Sequence, residues 1–351
     1  MKQISRKYMQ GLSLIELMVA LLIGTVLLLG LIQIFGASRE AYRLSEGMGR
    51  VQENGRFALD YLQRDLRMVG HFGCVNDQAR MQTPDSLRSH FTSGGPLDFL
   101  VSVRGYDGAP AGITLSPAPL AGSDSVVLRF LSGSGIPLTA VDVAGETVTV
   151  DSAKWSVLTQ DGVAAPQLFG IADCAYADVF ATAAPVATGP TIAVPSVVDL
   201  ARYGVDADGG PAMLYRAEAI IYYVANGAGG QPSLWRARIG ADGNAASEEL
   251  VEGVENLQFR FGLDQSADAA APTGYIATQD TATGVGAAVT DWRRVGQVQV
   301  GVLVTSPDRA SSEDATTPLM VLDQTPTVTS DRRYRTVYES TVALRNRLYG
   351  N

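Results

Sequence analysis

From Leu12 to Phe35 the chain is apolar or uncharged except for one carboxylate, Glu16. At ~1.5 Å of rise per residue, a helix of that length crosses a ~30 Å hydrocarbon core. Such a segment needs non-aqueous surroundings on every face, so the rest of the chain must fold outside the membrane. The preceding residues carry Lys2, Arg6 and Lys7 and no acid, which places them on the cytoplasmic side. An ordinary secretory signal has an apolar core of about 7 to 15 residues and is cut after it at small residues. Phe35-Gly36-Ala37 matches such a site poorly, so the sequence predicts a retained span. Glu16 is costly there, since a charge at the centre of a membrane helix costs ~2.5 to 3.5 kcal/mol at the low end. It lies only four residues into the apolar block, within snorkelling reach of the interface.

Helical periodicity continues beyond the span. Leu44, Met48, Val51, Gly55, Ala58, Leu62, Leu66 and Val69 recur at spacings of three and four, while Arg43, Glu46, Arg50, Arg56, Asp60, Arg64 and Arg67 take other faces. Joined to the span, this predicts a spine of about 58 residues, roughly 87 Å long. Gly47, Gly49 and Gly55 each weaken a helix by up to ~1 kcal/mol relative to Ala, so a bend or melted stretch is expected near them. After Gly70 the pattern changes to period two. Strands are expected at 124–131, 137–151, 217–225, 233–239, 257–264, 298–306 and 334–348, with hairpin turns at 144–146 and 226–232. Residues 76–122, 181–213 and 265–291 read as long loops. The domain plan is therefore 1–11 leader, 12–36 membrane helix, 37–70 amphipathic continuation and 71–351 β-rich head.

Charge and side-chain inventory narrow the function. The chain of 351 residues has net charge −9, and loss of the three leader cations makes it −12. That balance, without a basic stripe, argues against nucleic acid as a partner. Cys74 and Cys174 are the only cysteines and show no C-x-x-C spacing, so in an oxidising compartment one disulfide is expected. His71 and His90 are the only histidines, neither has metal-ligand spacing, and both read as structural side chains. DADGG at 206–210 starts like a calcium loop but lacks the third acid and terminal Glu, so it reads as a polar turn. No G-x-S-x-G or G-x-G-x-x-G occurs in a catalytic context. The sequence offers no catalytic residues, cofactor site or metal site, and the expectation is a protein that is not an enzyme.

The basic leader, Gly11, an apolar residue at Leu12, Glu16 as the fifth residue after that glycine, and the unbroken apolar helix resemble a type IV prepilin. The departure is Leu12, where Phe is commonest. MVGHFGC at 68–74, IADCAYADVF at 171–180 and YESTVALRNRL at 338–348 are similar to the PilW family of minor pilins. The resemblance implies an α+β fold, a long N-terminal helix with its upper half packed on a β-sheet head. It implies cleavage after Gly11 and N-methylation of Leu12 by the prepilin peptidase. Glu16 would then meet the freed amine of a neighbouring Leu12 and set axial register. The family role is to prime type IV pilus assembly with other minor pilins and the major pilin, near the tip and beside any tip adhesin. The implied location is the inner membrane of a Gram-negative bacterium, single-pass with a cytoplasmic N-terminus, and then the pilus tip at the cell surface. The alternatives are a J-type pseudopilin of type II secretion and, from another class, a membrane-tethered enzyme or receptor.

Overall fold

The computed structural model describes residues 13–76, 85–205, 211–266, 273–286, 288, 292–310 and 318–347. The leader through Gly11, the residue Leu12 after it, and the turn at 206–210 lie outside the described residues.

One helix, α1, runs unbroken from Leu14 to Met68 over 55 residues. The melted stretch expected at the glycines is absent, and two of them have a different purpose. A Cβ on Gly55 would sit 2.4 Å from the Tyr338 ring, and one on Gly47 would sit 2.5 Å from the Ala310 Cβ. Both let the head's sheet approach the helix backbone, whereas Gly49 faces open space. Val51, Ala58, Leu62 and Leu66 of the apolar stripe are fully buried. Docking begins at Gly47, because Leu44 is exposed and Met48 half-buried.

The head starts with a small hairpin, β1 His71–Phe72 and β2 Val75–Asn76. There follow β3 Leu87–Ser89, β4 Val103–Tyr106, β5 Ser125–Leu131, β6 Ile136–Asp142 and β7 Thr147–Val150. Next come β8 Leu168–Ala172, β9 Ala177–Ala181, β10 Thr191–Ala193, β11 Met213–Asn226, β12 Pro232–Ile239 and β13 Ala245–Glu252. The chain closes with β14 Val254–Asp264, β15 Ile276–Asp280, β16 Val295–Arg309 and β17 Arg333–Ala343. The three stretches expected to be loops thus contain β3, β4, β10 and β15. The last strand ends at Ala343, earlier than expected, because the Leu344 N–H turns back to the Gly296 carbonyl and residues 345–347 form a 3-10 turn.

Strand β11 organises an eleven-stranded sheet. Its first residues pair with β6 and β8, and its longer remainder pairs with β5 and β12, all antiparallel. A second sheet runs β15-β14-β16-β17. The main core lies where α1 meets both sheets, with Leu62, Tyr222, Phe259 and Val302 among its members. A separate cluster around Trp155, Phe169, Phe180 and Leu214 fills a lobe built from residues 136–214.

Candidate assembly site

Two features of the described residues make up the candidate site, the N-terminal half of α1 and the junction that carries the head. Ser13 caps the helix. Its hydroxyl accepts from the Glu16 N–H at 3.2 Å, while the Ser13 N–H donates to Glu16 Oε2 at 2.9 Å. This reciprocal box satisfies two of the N–H groups that a helix start leaves unpaired. Glu16 therefore has an intramolecular partner as well as an exposed position.

No residue from Ser13 to Glu46 is buried. Leu14, Ile15, Leu22, Ile34 and Phe35 are more than 60% exposed, and this is the one helix long and apolar enough to cross a membrane among the described residues. Burying such side chains is worth ~1.5 to 3 kcal/mol each, so the bare segment requires lipid or other helices around it.

Above it the head is fastened by a buried acid that lies outside the apolar stripe of the spine. Asp65 lies on the buried face of α1, one residue before Leu66. Its carboxylate accepts from the Tyr222 hydroxyl at 2.6 Å and lies 3.5 Å from Arg236 Nη1. Arg236 continues to Glu248 at 2.7 Å, and Glu248 to Arg238 at 3.4 Å. Glu218 joins Arg216 at 2.5 Å and Arg238 at 3.6 Å. Burial first, and then the Asp65 charge, hold the Tyr222 phenol well above its ordinary pKa. An acid beside an apolar stripe was the available signal, and its partners come from strands distant in sequence.

Cys74, just past the spine, is disulfide-bonded to Cys174 in the β8–β9 turn, 100 residues away. Both histidines are held by partners. His71 Nδ1 is 3.0 Å from the Leu131 carbonyl, and His90 Nε2 is 2.5 Å from Asp178. Asp178 also accepts from the Tyr203 hydroxyl at 2.5 Å, and burial followed by that carboxylate raises the Tyr203 pKa. Among the described residues no group of three His, Cys, Asp or Glu side chains is placed to hold a metal ion.

A membrane-length helix that continues unbroken into the core of a β-rich head is the architecture of a type IV pilin-like protein. Residues 6–32 match the prokaryotic N-terminal methylation motif, and residues 221–346 match the family described as type IV pilus-assembly protein W. The chain is thus similar to prepilins at its N-terminus and to PilW-type pilins over its C-terminal third. The second match runs from the middle of β11 past the end of β17, includes β13, β14, β16 and β17, which pack on the spine, and leaves out the 136–214 lobe. Among solved structures, a type IV-like pilin from Thermus thermophilus is similar at 12% identity and a TM-score of 0.34, over 85% of this chain and 97% of that one. No curated protein matches.

Proposed function

We propose that this protein is a minor pilin that helps prime type IV pilus assembly and stands at or near the pilus tip with other minor pilins. The observation that carries the reading is the bare apolar segment of α1, rigidly continuous with a large head. Neighbouring helices in a filament would cover that segment, and a head of this bulk suits an end position better than a repeating shaft. Before assembly the segment anchors the chain in the inner membrane. Gly11 is the cleavage position, Leu12 the methylated N-terminus and Glu16 the register residue; the prepilin peptidase, major pilin, other minor pilins and a tip adhesin are the partners.

Deletion of the gene tests this. Surface pili should fall while major pilin remains in the membrane. Full piliation with failed export of folded proteins would select the J-type pseudopilin instead. Normal piliation and export with loss of a substrate turnover would select the tethered enzyme.

A further inference from the structure

Between the underside of the head and one flank of α1 runs a groove. Its lower part, about 600 Å³, lies between Arg43 and Arg50 of the spine and Arg309 and Arg333 of the head. Its upper part, about 490 Å³, continues past Asn54 to Phe57. The two share Arg50, Pro307 and Arg333. From Arg43 to Phe57 the groove follows ~21 Å of helix.

We infer that the spine helix of a neighbouring pilin-class subunit seats in this groove, held between this chain's spine and its own head. The inference rests on the assembly reading above and extends it from the apolar segment to the head.

Continuity is the first argument. Phe35, at the top of the bare segment, lies eight residues or ~12 Å below Arg43, so a helix packed along the segment runs on into the groove. Charge is the second. The walls interleave Arg43, Glu46, Arg50 and Glu53 on the spine with Asp308 and Arg309 on the head. A spine of the same kind, with its own Arg39, Glu40, Arg43 and Glu46, likewise carries both signs, so it can pair with a lining of mixed charge where a partner of one sign would meet repulsion. An acyl chain would find no continuous apolar wall there, and a helix satisfies its own backbone where the groove offers mainly side chains. Phe57, 49% exposed at the upper end, supplies an apolar anchor.

The test uses full-length protein in cells. The two native cysteines are bonded to each other, so an introduced cysteine is the only thiol available for a benzophenone-maleimide photocrosslinker. Arg43→Cys and Phe57→Cys probe the groove at two independent places. Ile34→Cys probes the bare segment, and Val143→Cys an exposed turn of the head. Both groove positions should capture spine peptides of a pilin-class protein at yields several-fold above Val143→Cys. Capture of such peptides at Ile34→Cys but not at the groove positions overturns the inference and leaves the assembly reading standing. Failure to capture any pilin at Ile34→Cys overturns the assembly reading, and the inference with it.

Discussion

The Tyr222 hydroxyl donates to the Asp65 carboxylate at 2.6 Å, joining the central strand of the head to the spine inside the main core. Arg236 stands 3.5 Å from the same carboxylate, so Asp65 answers both a phenol and a guanidinium. A buried pair of this kind adds little net stability over an apolar replacement, yet breaking it by removing one partner is expensive. Its value is in fixing how far along the helix the head sits.

Asp65→Ala leaves Arg236 with Glu248 alone and the Tyr222 hydroxyl with only the Tyr61 carbonyl at 3.4 Å, and should destabilise the head by ~2 to 3 kcal/mol. Tyr222→Phe leaves the Arg236–Asp65 contact and should cost only ~1 kcal/mol. Urea unfolding of the detergent-solubilised chain measures both. Equal losses would show that the phenol, and not the ion pair, carries the junction.

The spine glycines separate close approach from helix weakness. Replacing Gly by Ala in a helix gains up to ~1 kcal/mol, while forcing a methyl into a filled site costs ~1 to 3 kcal/mol. At Gly55 the Tyr338 ring lies 2.4 Å from the new carbon, so overpacking wins and Gly55→Ala should destabilise. At Gly49 nothing lies within 4 Å, so Gly49→Ala should stabilise. Thermal unfolding with the same sign for both variants would contradict this assignment.

Asp124 gives the head a pH dependence. Its carboxylate accepts from the Phe259 N–H at 2.9 Å, and burial pushes its pKa up to about 7 against the opposing pull of that bond, with the Asp107 charge adding to the rise. An unfolded Asp titrates near 3.8, so folding takes up a proton between the two values and stability falls as pH rises through that window. Asp124→Asn keeps an acceptor for Phe259 and removes the charge. It should be more stable than the native chain by ~1 to 3 kcal/mol at about pH 8, after allowance for partial exposure, and equal to it near pH 4. Chemical unfolding at the two pH values checks the difference, and a variant no more stable at the higher value refutes it.

What the sequence discloses follows from what has a local pattern. The spine is legible because Val51, Ala58, Leu62 and Leu66 repeat at helical spacing. The strands at 125–131 and 254–264 show β-branched and aromatic side chains between turn residues. Strand β8 is buried at every position and carries Gly170 and Ala172, so it has no alternation to read. Strand β13, AASEELVE, is an edge strand whose charged side chains hide it among polar segments. β3, β4 and β10 are three or four residues long and lie below the reach of any period. Within the candidate site, Glu16 stands out as a lone charge in an apolar block. The network from Asp65 to Glu218 depends on the register of β11, β12 and β13, which no single segment encodes.

The Cys74–Cys174 bond closes a loop of 100 residues that takes in the first half of the 136–214 lobe and pins the β8–β9 turn in its middle. In the chain-entropy model a loop of that size is worth ~4.7 kcal/mol, and removing a native disulfide from a small secreted domain typically costs ~2 to 5 kcal/mol. Cys174→Ser should lower head stability within that range and make the lobe the first region to lose amide protection in hydrogen exchange. Loss spread evenly over both sheets would mean that the bond restrains the whole head and not the lobe.

Glu16 has two candidate duties that one pair of substitutions separates. In the single chain it completes the helix cap, with its carboxylate on the Ser13 N–H at 2.9 Å. In a filament its charge would meet the N-terminal amine of a neighbouring subunit, an interaction that needs a full negative charge in apolar surroundings. Glu16→Gln keeps an acceptor for Ser13 and loses the charge, while Ser13→Ala loses the hydroxyl half of the box and keeps the charge. A cap side chain is worth ~0.5 to 2 kcal/mol, small beside the apolar contacts of the bare helix, so Ser13→Ala should be processed and enter pili. Glu16→Gln should insert in the membrane at least as well as the native chain, because a charge has been removed, and yet remain there unassembled. Sheared pili probed for the subunit, alongside the membrane fraction, measure both variants. Normal assembly of Glu16→Gln would reduce Glu16 to a helix cap and remove its role in subunit register.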